Sequence, residues 1–405
     1  MQKLQEKSPL LIAYLTDNGY SKRYIMLFKA VIKSILNEAK KNDITYEKIY
    51  ESLIVREASP SILRQRRSVI GLIKYFIIND SFLPPGKRSG FLKTDNYDLL
   101  PVEFKQIIDR YIKHERKRGK SEDTIYTESH NAACFLQKIH ETGIRTIGKI
   151  TEKSVLDFFY DGEKIIQSTS HKKNIAAVIR ACIPDYHDGE CERVLGYFPC
   201  NREHRKNYQF LTDKEVSNIK AILAENNPSL SLRNKAIGIL AFYTGLRSCD
   251  ISNLCMDDID WKRDLIKIKQ QKTCVSLTLP LRAVVGNVLL DYLVNERPRL
   301  DIRQIFLTEN KPYHAIPSSS LYNVSVAILK QAGVRTEGGR KGLHLFRHHL
   351  ASSLLENGVQ HPVISSTLGH TEPSSLNPYL DTDLIHLKEC ALSVESFPVG
   401  KGVFV

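Results

Sequence analysis

The sequence predicts a mainly α-helical, multidomain chain with one small β-hairpin or sheet in its C-terminal half. Apolar residues recur at intervals of three and four through much of the 405 residues, as in helices with one buried face. Alternation of apolar and polar residues, the pattern of half-buried strands, marks residues 265–279. A chain of this length can bury two or three separate cores.

Residues 1–83 form the first expected domain. Ile25, Phe28 and Ile32 recur at helical spacing, and further helices are expected near residues 46–53 and 62–78. The first hundred residues carry 17 Lys and Arg against 10 Asp and Glu, a surplus of seven within a net charge of +13. This basic excess favours nucleic acid over a membrane surface as partner, so the first domain is expected to contact DNA.

A linker is expected at residues 84–100, because it opens with Pro-Pro-Gly-Lys-Arg-Ser-Gly, which cannot continue a helix. Residues 101–200 then form a second helical domain, with helices near 104–113, 131–139 and 154–160.

Two similar turns suggest an internal repeat. Gly-Lys-Ser at residues 119–121 lies one hundred residues after Gly-Tyr-Ser at 19–21. Either the first domain is a diverged copy of the second, or helical hairpins simply favour such turns. The sequence leaves both explanations open.

A group of cysteines and histidines closes the second domain, namely Cys182, His187, Cys191, Cys200 and His204. Four of them could hold zinc tetrahedrally, but the short Cys-x2–4-Cys hairpin of structural zinc sites is missing. Cysteines in helical cores give the same pattern, and we expect the eight cysteines of the chain to be reduced thiols. No metal or cofactor is therefore predicted.

Residues 207–398 form the third expected domain. Thr212 is placed to cap a helix with Glu215 as its capping-box partner, and a buried helix at residues 233–243 ends at Thr244-Gly245. A hairpin with strands at 265–270 and 275–279 follows, and Trp261 before it is expected in the core.

One helix in this domain delivers two groups suited to phosphate chemistry. His344 and Arg347 stand three residues apart and share a helical face, and Gly358 is placed to end that helix. Pro362 opens a short helix that runs into Leu-Gly-His at 368–370. Asn-Pro-Tyr at 377–379 suits the first turn of a further helix.

Six residues, together with Asp250, match a known pattern in order and spacing. They are Arg247 after Tyr-Thr-Gly-Leu, Lys272 beside the hairpin, His344, Arg347, His370 and Tyr379. This set resembles the signature of tyrosine recombinases of the phage-integrase type. The resemblance is strong from about residue 207 to 398, moderate over 101–199, and barely reaches the first hundred residues.

The resemblance implies a DNA clamp made of a helical core-binding domain and a tyrosine-recombinase catalytic domain, here with an extra N-terminal helical domain. Tyr379 would be the nucleophile, Arg247 and Arg347 would bind the phosphate, and His370 would add a further donor. Lys272 would be the general acid and His344 the proton acceptor, while Asp250 would orient Arg247 or a histidine.

The implied partners are double-stranded DNA with specific recombination sites and further copies of this chain. We expect a dimer on each site, a tetramer in synapsis, and an accessory DNA-bending or directionality protein. The apolar end of the tail at residues 399–405 is expected to dock on a neighbouring subunit or fold back on its own domain.

The expected activity is that of a site-specific recombinase or integrase of a phage or mobile element, working without metal. A type IB topoisomerase-like relaxing enzyme is the alternative, and a DNA-binding regulator without turnover is a third. No signal peptide, membrane span or P-loop is recognisable, so we expect a cytoplasmic, nucleoid-associated protein that does not use ATP.

Overall fold

The structure is a computed structural model that describes residues 2–39, 45–56, 59–84, 87, 89–92, 95–186, 188–200, 210–224 and 229–372. The chain divides into two compact units. One comprises residues 90–206, and the other comprises residues 1–89 together with 207–405. The finer division into five segments given above remains a prediction.

The unit made of residues 1–89 and 207–405 begins with four helices, α1 (Gln2–Asp17), α2 (Lys22–Ala39), α3 (Tyr46–Arg56) and α4 (Pro60–Asn79). α2 packs on α1, α3 and α4 through its apolar stripe, in which Phe28 and Ile32 are buried. The helices predicted in this part of the chain are confirmed.

The unit of residues 90–206 is also helical. Its helices are α5 (Val102–Lys117), α6 (Glu122–Glu141), α7 (Glu152–Phe159), α8 (Thr169–Ala181) and α9 (Glu190–Gly196), with short 3-10 turns at Ile147–Lys149 and Ile183–Asp185. Between α7 and α8, β1 (Tyr160–Asp161) pairs antiparallel with β2 (Lys164–Ile165).

α8 is a helix that the sequence patterns did not predict. Ser168 caps it by accepting a hydrogen bond from the backbone N–H of His171 at 3.2 Å. Ile175, Val178 and Ile179 bury one face of α8 against α5 and α6, so this helix completes the core of the unit.

Two cysteines of this unit behave as core residues, whereas Cys134 is half-buried and Cys200 is exposed. Cys182 and Cys191 are buried, and burial raises the pKa of their thiols to about 12 and about 11. No group of His, Cys, Asp and Glu suited to a metal ion occurs among the described residues. His187 and His204 lie outside those residues, so the zinc alternative stays open.

The part of the other unit that follows residue 206 holds the elements that matter for function. Its helices are α10 (Asp213–Ala224), α11 (Leu232–Thr244), α12 (Ser248–Asn253), α13 (Ala283–Asn295), α14 (Leu321–Gln331), α15 (His344–Glu356) and α16 (His361–Leu368), with 3-10 turns at Met256–Asp258 and Ser318–Ser320. α11 is almost entirely buried and packs against α13, α14 and α15.

A three-stranded antiparallel sheet lies between α12 and α13. Its strands follow the chain as β3 (Ile259–Asp260), β4 (Leu265–Lys269) and β5 (Ser276–Pro280), with Lys267 opposite Thr278. The prediction of a mainly helical chain with a small sheet is confirmed, although the sheet has three strands where the sequence predicted a hairpin.

The expectation for Trp261 is wrong. Its side chain is 43% exposed, because it lies in the turn between β3 and β4, beyond the end of the strand. A turn is free of the alternation that sends Ile259 and Ile266 into the core.

The capping box predicted at the start of α10 is confirmed. The Thr212 backbone N–H donates to Glu215 at 2.9 Å, and the Glu215 N–H donates to the Thr212 hydroxyl at 3.3 Å.

Among the described helices, none is long and apolar enough to cross a membrane.

Candidate active site

Arg247 is placed by the break between α11 and α12. α11 ends at Gly245, which has a φ of +63°. A Cβ atom there would lie 2.9 Å from Leu368 Cδ2 and 3.0 Å from Leu350 Cδ2, so the turn requires glycine for conformation and for space. The chain then turns into α12 with Arg247 as the residue before its first turn.

Arg347 ties this break to the end of α16. Its side chain is only 3% exposed, and its Nη1 donates to the carbonyl of Gly245 at 2.8 Å. Its Nη2 donates to the carbonyl of Leu368, also at 2.8 Å. The planar guanidinium therefore bridges two chain segments, as its fork of donors allows.

Arg247 contacts the same turn. Its Nη1 donates to Oε1 of Gln270 at 2.7 Å, and its Nη2 lies 3.4 Å from the carbonyl of Gly369. Two guanidinium groups from distant parts of the sequence thus converge on residues 368–369.

His370 follows directly after the left-handed Gly369 that ends α16, and its N–H donates to the carbonyl of Ser365 at 2.9 Å. The ring is half-buried. Burial, helped by the charges of Arg347 and Arg247, lowers the pKa of His370 to about 4. The imidazole is therefore neutral at pH 7 in the absence of a bound anion.

His344 is the first residue of α15 and stands at the surface of the same cluster. Partial burial lowers its pKa, and the positive charges of Arg347, Arg247 and Lys272 lower it further. A neutral imidazole can accept a proton, which is what a general base must do.

Lys272 is exposed and lies in the turn that joins β4 to β5. Asp250 supports this turn, because its Oδ1 accepts a hydrogen bond from the Gln271 backbone N–H at 2.9 Å. Asp250 is 5% exposed, so its carboxylate is inside the protein. The expectation that Asp250 orients Arg247 or a histidine is replaced by this contact with the turn of Lys272.

The structure thus brings Arg247, His344, Arg347 and His370 into one electropositive cluster, with Lys272 close enough for its charge to act on His344. Tyr379 and its expected helix lie outside the described residues. The catalytic roles that the family resemblance implies for these residues and for Tyr379 remain predictions.

The sequence patterns missed two residues of this cluster. Gln270 is 1% exposed and contacts Arg247, and its burial follows from the alternation that also buries Ile266 and Ile268. His348 has its ring centroid 6.0 Å from that of His344, and burial lowers its pKa to about 4. The alternation of buried and exposed residues along β4 is the sequence pattern that indicates a buried Gln270.

Comparison with known proteins supports the fold described above. The phage integrase family matches residues 209–384. A protein of Sinorhizobium fredii (strain NBRC 101917 / NGR234) that carries the name integrase/recombinase y4gC is 35% identical over 189 residues, which cover 46% of this chain and 97% of that protein. A tyrosine recombinase of Thermosipho africanus (strain TCF52B) is 27% identical and covers 68% of this chain and 93% of its own length.

Among solved structures, the XerH site-specific recombinase bound to palindromic difH substrate superimposes with a TM-score of 0.55. The match covers 74% of this chain and 96% of that chain at 19% identity, so it is a likeness of fold. The helical fold with its small sheet is therefore shared with this recombinase. The chain belongs to the phage integrase family of tyrosine recombinases.

Proposed function

We propose that this protein is a site-specific DNA recombinase that serves a phage or another mobile element. It would cut and rejoin DNA through a covalent 3′-phosphotyrosine intermediate on Tyr379. The observation that carries this proposal is the convergence of Arg247 and Arg347 on the turn at residues 368–369, next to His370.

The two arginines are suited to hold one phosphodiester. Arg347 is fixed by two buried carbonyl groups and Arg247 by Gln270, so both guanidinium groups are preorganised before DNA binds. Preorganised donors that meet developing charge typically lower a barrier by about 3–4 kcal/mol each. His370 would donate a further hydrogen bond to the same phosphate.

Proton transfer would use His344 and Lys272. The phenol oxygen of Tyr379 would attack phosphorus while its proton passes to the neutral His344. The bond from phosphorus to the 5′ oxygen would break, and Lys272 would protonate that oxygen. The 5′ hydroxyl of the partner strand would then attack the phosphotyrosine in the reverse sense, so the energy of the phosphodiester is conserved.

The proposed substrate is double-stranded DNA carrying specific recombination sites. Support comes from the net charge of +13 and from the XerH relative, which was solved on its difH substrate. We propose a dimer on each site, a tetramer during strand exchange and an accessory directionality protein. Its place would be the nucleoid in the cytoplasm.

The test uses the DNA repeats that flank the gene. A supercoiled plasmid carrying two copies of a candidate site is incubated with the protein in excess EDTA, and a plasmid carrying one copy is the control. The two-site plasmid should yield recombinant circles, because arginine side chains supply the positive charge that a metal supplies elsewhere. Relaxation of both plasmids without strand exchange would instead indicate a topoisomerase-like enzyme, and strict dependence on magnesium would contradict the proposed mechanism.

A further inference from the structure

Gln270 occupies an unusual place at the end of β4. The strand alternates between buried and exposed residues, and Gln270 continues the buried set. A glutamine on the inward side of a strand must find hydrogen-bond partners, because an unsatisfied buried amide is costly. Its side chain is 1% exposed.

Its amide group contacts three different parts of the candidate active site. Oε1 accepts hydrogen bonds from Nη1 of Arg247 and from the hydroxyl of Thr273, both at 2.7 Å. Nε2 donates to the carbonyl of Leu368 at 3.1 Å. Both lone pairs of Oε1 are thereby used, and each of the two partners is next to or part of the proposed catalytic set.

The backbone of Gln270 closes the turn that carries Lys272. Its N–H donates to the carbonyl of Val275, and its carbonyl accepts from the N–H of Cys274, both at 2.9 Å. Thr273, which bonds to the Gln270 side chain, is the immediate neighbour of Lys272. The position of Lys272 is therefore linked to the same amide that holds Arg247.

Gly369 lies against the amide group of Gln270 and leaves room for it because glycine has no side chain. A Cβ atom on Gly369 would lie only 2.2 Å from Oε1 of Gln270. Only glycine at position 369 allows the side chain to reach both Arg247 and the Leu368 carbonyl. A side chain at position 369 would displace the amide group, and all three contacts of that group would change together.

We propose that Gln270 is a positioning residue that sets the phosphate-binding Arg247 and the proton-donating Lys272 relative to the turn at Leu368–Gly369. This inference rests on the proposed function, because it assigns Gln270 to the same reaction. Gln270 itself would not touch DNA. It would act by fixing the distance between a phosphate donor and the acid that protonates the leaving oxygen.

The central variant is Gln270→Met, which keeps the length of the side chain and removes its polar atoms. Displacing a catalytic group by about 1 Å can cost about 100-fold in rate, so we expect cleavage to slow about 100-fold. Binding to the uncleaved site should change by less than about threefold, because most affinity for DNA comes from phosphate contacts spread over the protein. Gln331→Met, at the exposed end of α14, is the matched control and should cleave normally.

A second variant separates the two actions of Gln270. Thr273→Val removes the hydrogen bond from the Thr273 hydroxyl to the Gln270 side chain and leaves the backbone hydrogen bonds of the turn in place. It should slow cleavage about 10-fold, the effect of losing one such bond. A substrate with sulfur at the bridging 5′ position releases a thiolate, which needs no protonation, so it should restore the rate of this variant.

The sulfur substrate should restore Gln270→Met only in part, because Arg247 remains displaced. A residue that merely stabilised the fold would lower thermal stability, binding and both cleavage rates together, and sulfur would restore neither variant. That pattern, or normal cleavage by Gln270→Met, would overturn the proposal. If Gln270→Met does not fold, Gln270→Glu decides the question, since its carboxylate keeps the shape but cannot donate to Leu368, and it too should be slow.

Wild-type protein on the same sites distinguishes this inference from the proposed function. If the wild type forms no cleaved product on any candidate site, the proposed function fails. If the wild type cleaves and the Gln270 variants cleave equally well, only the role of Gln270 fails.

Discussion

Exchanging each active-site arginine for lysine should separate its structural role from its chemical role. Arg347 is 3% exposed and satisfies two carbonyl groups, those of Gly245 and Leu368. Hydrogen bonds to charged groups contribute about 1.5–3 kcal/mol each, and a lysine ammonium in Arg347→Lys could keep only one. We therefore expect a loss of about 2–3 kcal/mol, which lowers the melting temperature by about 4–12 °C.

Arg247→Lys is the matched comparison. Arg247 is half-buried, and its second contact, with the Gly369 carbonyl, is a long 3.4 Å. Water can replace part of the hydrogen bonding that the guanidinium provides, so we expect a loss of about 1 kcal/mol and a fall of about 2–4 °C. Both variants should lose about 100- to 1,000-fold in cleavage, because lysine cannot form a bidentate pair with phosphate.

The assay pairs thermal melting of the free protein with single-turnover cleavage of a bound site. We predict unequal melting temperatures and similar losses of rate. Equal destabilisation by the two variants, or an Arg347→Lys protein as stable as the wild type, would refute the structural role assigned to Arg347.

Gly369, His370 and the N-terminal helices each allow a further test. Gly369→Ala should destabilise the protein by about 1–2 kcal/mol through its φ of +64° alone, and should slow cleavage as well by displacing Gln270; normal cleavage by a stable variant would contradict this. DNA binding should take up protons, because a bound phosphate raises the pKa of His370 above the value of about 4 that it has in the free protein. Affinity should therefore rise as the pH falls toward about 4. Calorimetry in two buffers measures the uptake, and His370→Asn should reduce it. Deleting residues 1–90 should weaken binding and flatten its salt dependence, by about one unit of slope for each phosphate that the shortened protein no longer neutralises; an unchanged slope would mean that this part binds protein instead.

Local sequence signals predicted much of the fold because they act over a few residues. The capping box of Thr212 and Glu215 depends only on residues three positions apart. Gly245 and Gly358 end helices because they adopt the left-handed conformation. The spacing of His344 and Arg347 likewise required only that residues 344–356 be helical.

The features that sequence reasoning missed depend on contacts between distant residues or lack a strong local pattern. α8 opens with serine, threonine and histidine, which are also common in loops, so its short apolar stripe does not by itself predict a helix. The partner of Asp250 is the backbone of a turn 21 residues away, which no spacing rule indicates. Gln270 has meaning only once Arg247 and Leu368 are folded next to it.

The covalent intermediate tests the central claim most directly. A nicked substrate that traps cleaved protein is incubated with wild-type protein, Tyr379→Phe and Tyr50→Phe, a control tyrosine on α3. Denaturing gels report the adduct, and mass spectrometry of the digested complex identifies the attached residue. We predict a 3′-phosphate joined to Tyr379 in the wild type and in Tyr50→Phe, and no adduct in Tyr379→Phe, although that variant still binds DNA. An adduct that survives in Tyr379→Phe, or a linkage to a 5′-phosphate, would contradict the account.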